Sequence, residues 1–427
     1  MKLAKTSLPS KWKFSTIRES YCFTRKPRGL DLLKNGSSIP FFPMNVIPMG
    51  KIYTNEYIEK DAKNIGSGTY IENGDLIVAK ITPSFENGKQ AIVNLKTDFA
   101  YATTEVIPIQ EIQNVSDKFY LFFALLHPEI RSDLACKMEG STGRQRLSKE
   151  VLGDRIIPLP PLSEQKKIAH VLSTVQRGIE QQERLIQVTT ELKKTLMQKF
   201  FTEGLHGEPQ KETEIGLVPE SWAENQIGQI CEMRSGGTPS RKVPEYWNGN
   251  IPWIKTGEID YCSITETEEF ITQEGLENSS AKIFPKGTLL VAMYGQGITR
   301  GKVAIMGIQA TTNQACAAIT PKNEDELLTS FLFYFLQFHY EVLRNRGHGA
   351  NQRNLSMTLI KIFPVFYPSA KDQKAIVEIL EKHDHKIELV NQKRVVYEDL
   401  FRTLLHKLMT AQIRVDEIEF DGLSLSE

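Results

Sequence analysis

Two stretches of this chain, 208 residues apart (Ile168 to Ile376), carry the same long amphipathic pattern. The first runs from Leu159 to Gly204. Pro160 and Pro161 end whatever precedes it, because proline lacks a backbone donor and fixes φ. Ser163 suits an N-cap, and Glu164 and Gln165 follow in the first turn, where the helix dipole favours acidic and polar groups. Apolar residues then recur at three- and four-residue steps at Ile168, Leu172, Val175, Ile179, Ile186, Leu196 and Phe200, and Gly204 supplies a stop. About 39 residues at 1.5 Å each give a rod of roughly 58 Å, against a mean helix of ~11–12 residues. From Pro368 the pattern returns at Ile376, Leu380, Ile387, Val390, Tyr397 and Leu404. Both stripes have the spacing of a coiled-coil seam, interrupted at Gln182, Thr189 and Lys193 in the first and at His383 and Arg394 in the second. Two unrelated helices, each packed on its own domain, would explain either stripe but not the shared offset.

The duplication extends beyond the helices. LPSKW (Leu8 to Trp12) and VPESW (Val218 to Trp222) each open a region with a strand-like segment, GDLIVAK (Gly74 to Lys80) or GTLLVAM (Gly287 to Met293). Each region continues with Gly-Lys and an apolar strand (Gly88 to Val93, Gly301 to Ile305), then Ala-Thr-Thr (Ala102 to Thr104, Ala310 to Thr312). An aromatic-rich helix follows, SDKFYLFFALLHPEIRSDL or LLTSFLFYFLQFHYEVLRN, and then a glycine-rich basic turn, GSTGRQRLS or GHGANQRNLS. The expected fold is α+β: two similar globular α/β regions, each followed by a long helix, with the helices pairing as an antiparallel coiled coil. The boundaries fall at 1–158 and 159–204, a breaker-rich linker at 205–217, then 218–367 and 368–413, and a frayed acidic tail at 414–427.

A length of 427 residues allows two or three domains, and 40% hydrophobic with 24% charged residues is ordinary for a soluble chain. The formal net charge is zero, so any polyanion must be met by local patches. Five scattered cysteines without zinc-ligand or C-x-x-C spacing fit a reducing cytoplasm, and neither an apolar signal core nor a membrane-length run stands out.

The stretch Met233 to Ile259 places Arg234, Ser235, Thr238, Ser240, Arg241 and Lys242 around Gly236 and Gly237. Glycine permits positive φ or close approach, and backbone N–H groups, hydroxyls and cations together suit phosphate. An ordinary hairpin turn explains the same residues. Tyr294 to Ile305 is not a Walker loop: Gln296 stands where the first glycine belongs, and Val303 replaces the hydroxyl. A turn bringing Arg300 and Lys302 to DNA fits better, with a plain hairpin as the bland reading. The basic turns offer Arg144, Gln145 and Arg146, and Asn351, Gln352 and Arg353. Arginine pairs bidentately with guanine, and Asn or Gln with adenine, although such turns also cap helices. The aromatic helices read as core. No methyltransfer signature, nucleophile elbow or metal spacing is present, and Asp61-Ala62-Lys63 alone is no nuclease site.

With SGGTPSR…YWNGNIPWIKTGEI, TTNQACAAI (Thr311 to Ile319) and two PLSEQKKIAHVL-type helix starts in view, the chain resembles the specificity subunit of type I restriction–modification systems over nearly its whole length. The second helix start departs from the pattern, reading PSAKDQ, and the segment from Ser37 to Lys60 carries no readable match. The resemblance implies two target-recognition domains, each reading one half of a split sequence in double-stranded DNA. It implies paired helices that space the domains and dock two methyltransferase subunits, with restriction subunits joining outside. S-adenosylmethionine, ATP and magnesium would belong to those partners, with no cofactor, metal or catalytic group in this chain and no membrane partner. Two other classes stay open: an enzyme with an unrecognised site, or a scaffold that binds only protein.

Overall fold

The computed structural model describes residues 9–30, 38–141, 143–295, 298–346 and 354–415. Asn351, Gln352 and Arg353, together with residues 416–427 of the expected tail, lie outside the described residues. The chain divides into two compact units, one of residues 1–186 and 389–427, the other of residues 187–388.

In chain order the first unit contains β1 (Lys13–Thr16), α1 (Ile17–Ser20), β2 (Tyr21–Phe23), β3 (Ser38–Phe42), β4 (Tyr53–Thr54), β5 (Ile58–Asp61), β6 (Thr69–Glu72), β7 (Leu76–Ala79), β8 (Gln90–Val93), β9 (Phe99–Ala102) and β10 (Val106–Glu111). Then come α2 (Lys118–Leu126), α3 (Pro128–Ala135), α4 (Lys149–Gly153), β11 (Ile156–Leu159) and the long helix α5 (Leu162–Glu203), whose last part belongs to the second unit. The second unit continues with β12 (Gln210–Thr213), β13 (Gly216–Pro219), β14 (Ala223–Gln226), α6 (Ile227–Ile230), β15 (Cys231–Ser235), β16 (Trp247–Ile254), β17 (Ser263–Ile264), β18 (Glu269–Ile271) and α7 (Gln273–Glu277). It ends with β19 (Leu289–Ala292), β20 (Val303–Met306), β21 (Thr311–Thr312), β22 (Cys316–Pro321), α8 (Thr329–Phe338), α9 (Tyr340–Asn345), α10 (Met357–Lys361), β23 (Pro364–Tyr367) and the long helix α11 (Ala370–Met409), which re-enters the first unit at Leu389.

Strand order makes the duplication explicit. The larger sheet runs β2-β10-β7-β8-β4 in the first unit and β15-β22-β19-β20-β17 in the second. A smaller sheet runs β5-β3-β9-β6 and, one strand shorter, β18-β16-β21. The pairs β1-β11 and β14-β23 also correspond. The central strands β7 and β19 are buried throughout, as expected of apolar runs covered on both faces. Gly74 and Gly287 enter them with the same left-handed φ of 90°, and Gly88 and Gly301 hold the following turns at 81° and 88°. Side chains rarely adopt that conformation, so the glycines keep both hairpins in register.

Each aromatic stretch is two helices rather than one. In the first unit α2 breaks at His127, extended at ψ 126°, because the residue before Pro128 is driven out of the helical region. In the second unit α8 breaks at His339 with no proline. Both stretches are core, as their composition implied: Tyr120 to Leu125 and Phe331 to Leu336 are all buried.

Helix α5 begins at Leu162, ahead of the expected cap at Ser163, once Leu159 has closed β11. Ser163 is not its cap: the Pro161 carbonyl accepts from the amides of Glu164 and Gln165, each at 2.9 Å. A serine does cap α11, where the Ser369 hydroxyl lies 3.3 Å from the Asp372 amide. Gly204 ends α5 with φ 70°. Of the thirteen stripe residues, Ile168, Leu172, Ile179, Phe200, Ile376, Leu380 and Val390 are buried. Val175, Ile186, Leu196, Ile387, Tyr397 and Leu404 are half-buried. Ile168 and Leu172 join the first unit's core beside Leu405 and Leu408, whereas Ile376 and Leu380 join the second's beside Met197 and Phe201. Gly178 lies under the Tyr397 ring in the first unit, and Lys193 pairs with Asp384 at 2.5 Å in the second.

The expected linker is a hairpin, with Thr213 opposite Gly216 in β12-β13. Buried Ile215 and Val218 hold it down, an apolar pair hidden among its polar residues. Nor does the tail start at Arg414. That guanidinium ion-pairs with Glu164 at 2.9 Å, and Val415 is buried in the first core.

Gln165 and Gln373 stand at the same position of the two long helices and are both fully buried. Gln165 accepts from the Asp117 amide (2.9 Å) and donates to the carbonyls of Pro160 (2.9 Å) and Val115 (3.2 Å). Gln373 accepts from the Leu328 amide (2.9 Å) and donates to Glu326 (2.7 Å) and Pro368 (2.9 Å). One side-chain amide therefore ties each long helix to the loop before its aromatic helix, satisfying backbone groups that burial would otherwise leave unpaired.

Candidate nucleic-acid interface

The loop leaving β15 is held from within. The Gly237 amide donates to the Thr312 carbonyl at 2.9 Å, and that of Gly236 to Cys316 at 3.4 Å. A side chain on Gly236 would collide with Thr312, and one on Gly237 with Ser280 and Ala281. Neither has positive φ; both glycines serve close packing, and their N–H groups are already used. The expectation of an amide cradle for phosphate at Gly236 and Gly237 is therefore corrected. Trp253 Nε1 donates to the Gly237 carbonyl at 2.9 Å, and Trp247 Nε1 to that of Ser240 at 3.1 Å. Thr238 donates its hydroxyl to Gln314.

Cations remain at the surface of this loop. The Arg241 guanidinium sits 3.6 Å from the Trp247 ring centre and 5.0 Å from that of Trp253, stacked as cations stack on indole faces. It also ion-pairs with Glu269 at 2.5 Å, which holds that carboxyl below its usual range. Exposed Arg234 faces Glu232 at 3.6 Å. Ser235 and Lys242 are exposed.

The turn between β19 and β20 is a hairpin fastened to α9. Tyr340 donates its hydroxyl to the Ile298 carbonyl at 2.6 Å, and Arg344 donates to the Arg300 carbonyl at 3.3 Å. Arg300 is buried, and Lys302 is largely covered, 2.5 Å from Asp260. A flexible turn extending both cations outward is not what the fold builds; Gln296 lies outside the described residues.

In the first unit Arg146 bridges in strand fashion to Ile81 and Glu139, and its guanidinium grips Glu105 at 2.8 Å, lowering that carboxyl's pKa. Gln145 is half-exposed, its carbonyl accepting from the Thr82 amide at 3.0 Å. Arg144 is exposed.

Sequence reasoning missed the first unit's counterpart of the Trp253 strand. Phe41 pairs with Tyr101 and Phe42 with Ala102 in parallel register, as Trp253 pairs with Thr311 and Ile254 with Thr312. Ile39-Pro40-Phe41-Phe42 thus matches Ile251-Pro252-Trp253-Ile254, a legible signal inside the segment set aside as unreadable. A cation covers the matched ring here too: Lys60 Nζ lies 3.5 Å from the centre of Phe41.

Among the described residues no cluster of three metal-ligating side chains occurs, and no helix is long and apolar enough to cross a membrane. All five cysteines are unpaired; burial pushes the Cys231 thiol up to about 12.

The sequence profile of the type I restriction modification DNA specificity domain matches twice, at residues 9–190 and 219–396. The chain belongs to this family. Its two family domains coincide with the two copies seen in the strand order. The type I restriction enzyme MjaIX specificity subunit of Methanocaldococcus jannaschii is 33% identical over 44% of each chain. The putative type I restriction enzyme MjaX specificity subunit of the same organism is 24% identical over 96% of this chain and 95% of that one. The crystal structure of a type I restriction-modification system S subunit from M. genitalium shares the fold, with a TM-score of 0.62 at 17% identity over 95% of this chain and 98% of the other.

Proposed function

We propose that this specificity subunit reads a bipartite target in double-stranded DNA, one half-site per globular domain. The two long helices pair as an antiparallel coiled coil, set the gap between half-sites and dock two methyltransferase subunits, with restriction subunits outside. The chain contributes recognition and no catalysis; S-adenosylmethionine, ATP and magnesium act on the partner subunits. The observation that carries this reading is the repeated strand order under two matches to a DNA specificity family. Two equivalent readers suit two half-sites. Exposed Arg144, Arg234, Arg241 and Lys242, with Gln145, Arg146 and Ser235 beside them, are the contacts this reading favours.

The test is methylome sequencing of a host carrying the chain and its methyltransferase, which should return a split motif with a constant gap. Four residues inserted after Thr189 add ~6 Å of helix and one turn plus ~40°. DNA advances ~3.4 Å and turns ~35° per base pair. Rise alone suggests about two base pairs, and rotation about one. Rotation dominates, because a domain facing the wrong side of the groove loses its bases while a few ångströms are absorbed by bending. The motif should keep both halves and gain one base pair of gap. An unchanged gap in an active complex would remove the helices from the spacing role.

A further inference from the structure

The chain leaves the larger sheet at corresponding points in the two units. Phe23 on β2 pairs with Ile109, as Met233 on β15 pairs with Ile319. The loop after β15 is the glycine-rich one described above. The described part of the loop after β2 reads Thr24-Arg25-Lys26-Pro27-Arg28-Gly29-Leu30, with no glycine pair and three cations. Leu30 donates back to the Pro27 carbonyl at 3.4 Å, and Gly29 turns at φ 79°. Lys26 Nζ lies 6.0 Å over the ring of Tyr101, which strand register, shifting the expected Ala-Thr-Thr match by two residues, makes the counterpart of Thr311.

The two loops differ in what neutralises them. Arg234 faces Glu232, Arg241 faces Glu269, and nearby Lys255 faces Glu268 and Glu269. Only Lys242 in that loop lacks an acidic partner among the described residues. In the first unit Arg25, Lys26 and Arg28 are all exposed, and none has an acidic partner among the described residues. A cation already paired must exchange its carboxylate for a phosphate, so it gains little from DNA; an unpaired one releases a condensed counterion on contact.

We infer that the first domain supplies most of the electrostatic grip on the DNA backbone, through Arg25, Lys26 and Arg28, whereas the second holds its cations on carboxylates and discriminates with little net charge. This inference rests on the DNA-reading function proposed above. Binding of the full chain, assembled with its methyltransferase subunits, to a duplex carrying the methylated motif tests it over a salt series. The triple variant Arg25→Ala/Lys26→Ala/Arg28→Ala should flatten the slope of log K against log salt by about two to three units. Arg234→Ala/Arg241→Ala should flatten it by less than one unit, and Glu232→Gln/Glu269→Gln, which frees those cations, should steepen it by about one to two. All these positions are on exposed or half-exposed surface, and circular dichroism checks folding. Equal flattening by the two alanine sets, or an unchanged slope in the triple variant, overturns the division of labour while leaving DNA recognition standing. Failure of the unsubstituted complex to bind DNA would instead remove the function on which the inference rests.

Discussion

The two units share a strand order but solve the same packing problem with different chemistry. Where the first buries Arg131, the second has Leu343; where the first has Gln90, the second has Val303. Arg131 donates to the carbonyl of Leu125 at 2.9 Å, to that of Phe85, and to Gln90 Oε1 at 2.6 Å, and Gln90 Nε2 donates to Phe122. Burial pushes the guanidinium down to about 10. His127 meets His406 at 3.3 Å, whereas its counterpart His339 lies between Phe335 and Phe338 at ring distances of 4.5 and 4.8 Å. Trp12 donates to Glu164 at 2.9 Å; Trp222 packs instead on Phe331 at 5.7 Å. What stayed alike is the turn glycines, the clamping glutamines and the registers of the larger sheet, all of which fix backbone. The duplicated backbone thus tolerates a polar or an apolar interior, provided every member of the polar set is present.

That contrast breaks most visibly at Arg131. Arg131→Leu alone strands Gln90 and the carbonyls and should destabilise the first unit by about 3–5 kcal/mol. Gln90→Val alone should cost about 1–3 kcal/mol. Together they import the second unit's solution, and calorimetry should find the double variant more stable than the summed costs by about 1–3 kcal/mol. Additive losses would mean that the two interiors are not interchangeable.

Acid sharpens the comparison at the histidines. Burial lowers His339 from 6.5 to about 3, so the folded second unit keeps it neutral while the unfolded chain protonates it. Stability is therefore present above pH 6.5 and falls as pH drops from there toward 3. At pH 5 the loss is about 2 kcal/mol, and His339→Phe should abolish it in denaturation at pH 7 and 5. His127 is also held low, by burial and by His406 beside it, so its loss runs in the same direction. Equal acid sensitivity of the His339→Phe variant and the unsubstituted chain would contradict the burial argument.

Much of the frame was legible, because repeated spacing survives divergence. The 208-residue offset located both helices, Gly74 and Gly287 marked matched strands, and the aromatic stretches announced the core. Less legible was the use made of polar residues. Gln165 reads as a first-turn polar group suited to the helix dipole, yet it and Gln373 are both fully buried, because backbone groups before the aromatic helices need a partner. Gly236 and Gly237 read as a phosphate loop, since a sequence does not reveal that their amides already face Thr312 and Cys316. Arg300 sits on the turn of a hairpin, where exposure is expected, yet it is covered, and spacing does not announce that Arg344 on α9 donates to its carbonyl. The Ile-Pro-aromatic match at Phe41 and Trp253 was present, but three residues of pattern carry little weight until the strand register supports them.

One exchange addresses the modular account most directly. Val218 to Phe363 is replaced by the matching segment of a family member of different specificity, and the host methylome is sequenced with the cognate methyltransferase present. One half of the methylated motif should change, while the other half and the gap stay as they were. A change in both halves, or an unaltered motif from an active complex, would contradict one reader per half-site.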